Sequence, residues 1–473
     1  MLDQSFSAQN YEIIFNLANR KGQIKLADMP TEYQIFVKDI KDLKRQRTEI
    51  EKKKHSDWSS EDISKREEII NSIHEKTNQK QECLCKYITE LSHKTNTSSF
   101  RFQLVKHLDY DTGKQVFQIK DDSTHIAFFA IKQLQYNIQK IFKVQQANRH
   151  AILSNIKLLL NTRLPIYIIR TDISNFYESI PQNRLIKCIT DNTLLSPRSI
   201  SYIKGIINEF NTETYQNITT GVGIPRGVAI SPLLSEIYMR DIDFQLKNRQ
   251  EVIFYARYVD DIFIILSSLN KLTLDKYYDQ IQELFKKYGL TLHNTSGKCE
   301  LIDLFRNNQN ISKTLTYLGY TLTICKTGKD TITTFSMSNK KIEKIKKRID
   351  NAFLVFEEDS KYNLQQARHF LLDSLKYITG NYRLKGAKSG VKIGLFYNND
   401  LLDTTDELDK LTEYLHNQPI NPSPDKFQSL EERENFIRRL EKVIHKINFK
   451  DNWNNKIMYA LNSESLQKIL QKI

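Results

Sequence analysis

Cysteine is scarce and scattered, with five residues at 83, 85, 188, 299 and 325 in a chain of 473. An odd number spread this way fits no disulfide framework, and Cys83-Leu84-Cys85 has no second ligand pair at a zinc-site spacing. No apolar run approaches the roughly 18 residues that a membrane span requires. The opening Met1-Leu2-Asp3-Gln4-Ser5 lacks the basic-then-apolar pattern of a secretory leader, so the expected location is the cytoplasm, without a membrane partner. No internal repeat is visible. What the chain does have is positive charge: 70 Lys+Arg against 56 Asp+Glu, a formal net charge of +14 that favours polyanionic partners. Hydrophobic residues at 40% and charged ones at 27% exclude disorder throughout, and the length suggests about three domains or one multi-part fold.

From Pro30 to about Ser92 apolar residues recur three, four or seven apart, which predicts a helical hairpin broken at His55-Ser56-Asp57-Trp58-Ser59. Ser59 followed by Asp62 resembles a capping box opening the second helix. The basic run Lys52-Lys53-Lys54 reads as a solvated helix face and is assigned no chemistry. Beyond Lys94–Ser99 the texture turns to β-branched and aromatic residues. Phe100-Arg101-Phe102 and Val116-Phe117-Gln118-Ile119 are strand candidates, as is the apolar run Ile166–Ile169, which ends in Arg170-Thr171-Asp172. Val252–Tyr258 and Ile262–Leu266 predict a hairpin with Val259-Asp260-Asp261 at its turn. Helices are expected over Leu274–Tyr288 and Asn339–Phe356. The latter carries Ile342, Ile345, Ile349 and Phe353 on one face and Lys340, Lys344 and Lys347 on the other. Lys385–Gly390 reads as a loop and Ser429–Ile473 as a helical tail.

Two adjacent carboxylates at a turn between strongly apolar strands carry charge where burial is costly, so a compensating divalent cation is the natural expectation. Asp172 ends another core strand. Three acids converging from strand ends would hold two hard cations through oxygen, the arrangement that activates an attacking hydroxyl and stabilises a leaving phosphate oxygen. An Asp-Asp pair taken alone is more often just a polar turn.

The surrounding residues resemble a known family. Tyr258-Val259-Asp260-Asp261 is similar to the Y-x-D-D motif of reverse transcriptases, and Thr171-Asp172-Ile173-Ser174-Asn175-Phe176-Tyr177 to their first aspartate motif. Gly223-Ile224-Pro225-Arg226-Gly227-Val228-Ala229-Ile230-Ser231-Pro232 resembles the intervening L-P-Q-G-x-x-x-S-P motif, and Gly289–Leu292 with Lys298, then Tyr317-Leu318-Gly319-Tyr320, resemble the later palm motif and primer-grip turn. The likeness runs over roughly residues 143 to 350. Arg226 replaces the family's usual Gln.

The resemblance implies an α+β right-hand polymerase: an N-terminal helical extension over 1–99, fingers and palm over 100–330, a thumb over 331–410 and a helical region over 411–473. It implies an RNA-directed DNA polymerase making cDNA, with two Mg²⁺ ions (Mn²⁺ a substitute) held by Asp172, the Ile173 carbonyl, Asp260 and Asp261. Lys298 would protonate or bind the leaving pyrophosphate. Tyr177 would act as sugar gate against a ribose 2′-hydroxyl, with Phe176 beside it. Arg149 and Gly227 would meet the incoming triphosphate, Ser231 and Pro232 would open a supporting helix, and glycines in Gly221–Gly227 would admit a nucleotide; Arg226, a departure from the family pattern, would clamp the incoming triphosphate or a template phosphate. Gly319 and the three lysines would meet the template-primer duplex. No ribonuclease H acid set or Cys/His endonuclease pattern is recognisable after the palm. The Arg226 variant and the helical extension are most similar to bacterial phage-defence reverse transcriptases of the unknown group, and Asn19–Gly22 with Gly394–Asn399 to the first enzyme of two-polymerase systems. That likeness implies a structured noncoding RNA as template, deoxynucleotides as substrates, a DNA product, and a second reverse transcriptase or a homo-oligomer as partner. An RNA-binding scaffold, a template-independent or protein-primed transferase, and a retron or intron-type enzyme are the alternatives.

Overall fold

The computed structural model describes residues 3–52, 58–109, 113–120, 124–145, 147–191, 194–215, 221–268, 273–305, 310–383, 391–461 and 463–473. Lys53, Lys54, the break at 55–57 and the loop at 385–390 lie outside the described residues. The chain forms two compact units, each assembled from separate stretches: 1–146, 175–243 and 287–290 in the first, and 147–174, 244–286 and 291–473 in the second. Among the described residues no helix is long and apolar enough to cross a membrane.

In the first unit the expected helical hairpin is formed by Thr31–Glu51 and Ser60–Asn96. The capping box is present, since the Ser59 side chain accepts from the Asp62 amide while the Asp62 carboxylate accepts from the Ser59 amide. Helix Ala8–Arg20 joins the hairpin through a buried hydrogen bond from the Tyr11 hydroxyl to Thr95 and a ring contact between Tyr11 and Phe129 of helix Ile126–Phe142. The strands Leu104–Asp109 and Lys114–Ile119 pair antiparallel. Phe100-Arg101-Phe102 lies outside any strand. Both rings pack edge-on against Tyr202 of helix Pro197–Tyr215, and that side-chain packing overrides the local preference for strand. Helix Ser231–Lys247 starts one residue early, because the Ser231 hydroxyl donates to the Pro225 carbonyl at 2.6 Å instead of capping the amides ahead of it.

The second unit is built on a four-stranded antiparallel sheet in the order Val252–Tyr258, Asp261–Leu266, Tyr167–Asp172, Glu300–Asp303. Ile262 to Leu266, in an inner strand, are fully buried, as expected for a strand covered on both faces. A meander of Ile311–Tyr317, Tyr320–Thr327 and Asp330–Met337 follows, then the helices Asn339–Ser360, Leu364–Thr379, Asp406–His416 and Leu430–Ile444. One apolar cluster runs from Phe263 and Ile265 through Tyr317 and Phe335 to Ile349, Phe353, Leu371, Leu408 and Leu440.

Candidate active site

Strand register brings the acids together within the second unit. Asp172 pairs with Asp261 across one side of the strand Asp261–Leu266, and Tyr258 pairs with Asp261 across the other. A one-residue slip would exchange the side chains packed against the two covered faces of the strand, so the packing of the apolar strands fixes the acids' positions. The turn is tight and strained: Val259, a β-branched residue, has φ +60°. It is held from two directions. Arg257, only 7% exposed, donates to the Val259 carbonyl at 2.8 Å, and the Ile173 amide donates to the Asp260 carbonyl at 3.1 Å.

Electrostatically the cluster is frustrated. Asp172 Oδ1 is buried and accepts no hydrogen bond. His293 Nε2 stands 3.7 Å from that oxygen, Lys298 Nζ stands 3.9 Å from Oδ2, and the two nitrogens are 3.1 Å apart. Arg170, two residues before Asp172 and so on the same strand face, donates to Asp261 Oδ1 at 3.1 Å and to the Gly297 carbonyl at 2.8 Å. Burial, reinforced by repulsion from Asp260 and Asp172 and opposed by Arg170, pushes the Asp261 carboxyl up to about 6. Among the described residues no three Asp, Glu, His or Cys side chains already converge on a cation position. Asp172 faces Lys298 and His293 while Asp261 faces Arg170, so two of the protein's own cations, Lys298 and Arg170, compensate part of the acids' charge. Even so, an unsatisfied buried carboxylate oxygen beside two further carboxylates is a hard-oxygen donor set in need of positive charge, and it fits divalent metal.

Backbone contacts support the same end of the sheet. Ser174 donates to the Thr291 carbonyl at 2.8 Å and His293 to the Asp172 carbonyl at 3.1 Å, a bridge that does not engage the carbonyl of Ile173. The Tyr278 hydroxyl, held protonated by burial, donates to the His293 carbonyl at 2.7 Å and lies 2.9 Å from Thr171 Oγ1.

Arg149 is not free to clamp a triphosphate. Its guanidinium donates twice to the Leu318 carbonyl, at 3.0 and 2.6 Å, and lies 5.2 Å over the Tyr320 ring. Leu318 and Gly319 have φ of +45° and +80°, and a Cβ on Gly319 would sit 3.4 Å from that guanidinium. Lys341 also supports this turn region, donating to the Asn398 carbonyl at 3.2 Å. Burial and the neighbouring Arg149 charge lower its ammonium to about 8. Lys340, Lys344 and Lys347 are exposed on helix Asn339–Ser360, while Ile349 and Phe353 are buried and Ile342 and Ile345 partly so.

In the first unit Tyr177 lies on the short helix Phe176–Ser179, with only 9% of its surface exposed. Arg226 covers its ring at 5.0 Å and makes two bonds to the Glu178 carboxylate, at 3.0 and 3.2 Å. Burial would raise the Glu178 carboxyl, but the Arg226 hydrogen bonds and charge overcome it and hold the group low. Arg226 is thus already paired. The glycine expected to admit a nucleotide, Gly227, admits protein instead: a Cβ there would lie 2.7 Å from the Phe117 carbonyl, and the Phe117 amide donates to the Arg226 carbonyl at 2.7 Å.

The sequence reading missed His293, Arg170, Arg257 and Glu178. Arg170 alternates with Asp172 along a strand and Glu178 follows Tyr177 directly, so period-2 spacing and adjacency held a signal for these two. Nothing local marked His293.

Residues 93–322 match the family described as reverse transcriptase (RNA-dependent DNA polymerase). These residues form a reverse transcriptase domain. The enzyme is an RNA-directed DNA polymerase, a nucleotidyltransferase of the right-hand type. Among solved structures the chain is similar to apo telomerase from Candida tropicalis truncated from its C-terminal domain, at 17% identity over 55% of this chain and 69% of that one, with a TM-score of 0.30. It is also similar to telomerase from Candida albicans in complex with a TWJ fragment of telomeric RNA, at 10% identity over 82% and 77%, with a TM-score of 0.34. Likeness this loose transfers neither partner nor template to the present reverse transcriptase.

Proposed function

We propose that the reverse transcriptase copies a structured noncoding RNA into cDNA in bacterial phage defence, in the cytoplasm, using Asp172, Asp260 and Asp261 as metal-holding acids. The observation that carries the chemistry is the register setting Asp172 opposite Asp261, with a buried carboxylate oxygen left unsatisfied. Two Mg²⁺ ions, for which Mn²⁺ can substitute, would be held by these carboxylates and the Ile173 carbonyl, and when bound supply activation of the primer hydroxyl and charge neutralisation of the leaving phosphate.

The protein's own groups do the rest. Lys298, beside Asp172, holds a mobile positive charge that can bind departing pyrophosphate and return a proton to it. Arg170 and Lys298 offset part of the carboxylate charge before metal arrives. Arg257 and the Ile173 amide fix the turn so that Asp260 and Asp261 keep their aim. Tyr177, stiffened by Arg226, presents a planar ring as the gate against ribonucleotides.

The defence assignment rests on the resemblance of the Gly-Ile-Pro-Arg-Gly variant and the helical extension to phage-defence enzymes, which also supports a noncoding RNA template and a second reverse transcriptase or a further copy as partner. Sequencing nucleic acid copurified with the wild type and with Asp260→Asn tests it. A discrete RNA in both samples, with complementary DNA only in the wild type, is the expected result. RNA in both and DNA in neither would make the protein an RNA-binding scaffold; DNA with no complement in the RNA would make it template-independent.

A further inference from the structure

In the first unit, the segment 97–102 and the helix Pro197–Tyr215 line a solvent-open cavity of about 720 Å³. Small-molecule sites commonly occupy about 300–1,000 Å³. Ser201, Lys204, Gly205 and Asn208 line it from the helix, at spacings of three and four that put them on one face. Aromatic rings from both the helix and the segment 97–102 adjoin this face. Phe100, Phe102 and Tyr202 form a three-ring cluster with centroids 5.1 to 5.7 Å apart, in which Phe102 and Tyr202 are buried and Phe100 is half-buried.

Two features point to the occupant. The lining holds three cations, Arg101, Arg198 and Lys204, all exposed, and no carboxylate. Arg198 donates to the Asn96 carbonyl and lies over Tyr202, leaving further guanidinium donors to spare. The second feature is Gly205, inside a helix where glycine is disfavoured relative to alanine. Among the described residues a Cβ there would meet nothing within 4 Å, so no close packing accounts for the glycine. Its missing side chain leaves the helix face open to the cavity.

We propose that this cavity binds one unpaired nucleotide of a single-stranded RNA, with the base against Phe100 and the phosphate toward Arg101, Arg198 and Lys204. Ser201 and Asn208 supply hydrogen-bonding groups for the base edge or sugar. Aromatic stacking with flanking cations tolerates any base, so the site holds a strand without reading its sequence. The site uses none of the catalytic acids and is a holding point for the RNA additional to template pairing.

The test uses the full chain and a labelled 12-nucleotide single-stranded RNA. Gly205→Leu places a side chain over the open helix face of the cavity and should weaken binding at least tenfold while leaving the melting temperature equal or higher. The double variant Arg101→Gln/Lys204→Gln should weaken it comparably and lower the salt slope by about 0.7 per lost phosphate contact. Both variants should extend a saturating primer-template at near wild-type rates, and Asp260→Asn should bind the oligomer like the wild type, so failure of the polymerase assignment would not disturb the result. A 4-thiouridine oligomer should crosslink to the peptide containing residues 97–102. Unchanged affinity and salt slope in both pocket variants would overturn the site. Equal competition by adenosine monophosphate would show that a free nucleotide, and not a strand, is the occupant.

Discussion

Asp261 ionises against both burial and two neighbouring carboxylates, which lift its pKa from 3.8 to about 6. A carboxyl raised on folding contributes stability below its unfolded pKa, and that contribution is lost as pH rises through the folded value. Asp261→Asn should therefore abolish primer extension while raising the stability of the metal-free protein at pH 7 by about 1–2 kcal/mol, an advantage that shrinks as pH falls below about 6 and disappears only near pH 3, below the unfolded value. Calorimetry at the two pH values measures it, and wild-type extension by this variant in Mg²⁺ would contradict the assignment of the acid. Metal binding should weaken below about pH 6 for the same reason, because protons compete for the carboxylate. Tyr177→Ala should raise the efficiency of ribonucleotides relative to deoxynucleotides. Glu178→Gln, which loosens Arg226 from the ring, should move the same ratio in the same direction but less; an unmoved ratio in both variants would place the gate elsewhere, with Phe176 next. The acids were legible because charged residues between apolar strands need an explanation. His293 and Arg257 were not, because their roles depend on backbone carbonyls and carboxylates that only the register brings to them.

Helix Asn339–Ser360 buries Ile349 and Phe353 of its expected apolar stripe and leaves Ile342 and Ile345 partly buried, with Lys340, Lys344 and Lys347 exposed. If those lysines meet the duplex, replacing all three with Gln should lower the salt slope of template-primer binding by about 0.7 to 0.9 per lost contact without changing sequence preference. A gel-shift series in rising salt reads this directly, and an unchanged slope would leave the helix as packing alone. Elements with a strong period were readable, including the hairpin at the acids and the capped helix at Ser59. Elements set by distant partners were not. Phe100 and Phe102 alternate like a strand, yet their rings are taken up by Tyr202, and Ser231 has a capping hydroxyl that the Pro225 carbonyl claims instead. Gly227 looked like an opening for a nucleotide because sequence cannot show that Phe117 is already there.

At the scale of the whole molecule, the first 99 residues are not an appendage. Phe6, Tyr11, Leu84, Ile88 and Leu91 are buried in the same compact unit as Phe129, Leu134 and Ile138. Deleting residues 1–99 would strip Tyr11 from the fully buried Phe129 ring, so the truncated chain should be insoluble instead of a working minimal polymerase. Soluble, active protein from that truncation would show the extension to be dispensable. The division of the chain into alternating stretches has a further consequence for how it comes apart. A single protease cut in the turn 248–251 yields one piece holding the strand Tyr167–Asp172 and another holding its partner Asp261–Leu266, so neither piece contains a whole unit. The nicked protein should migrate as one species on a native gel and as two in detergent, and the severed halves, mixed from separate denatured stocks, should recover polymerase activity only together.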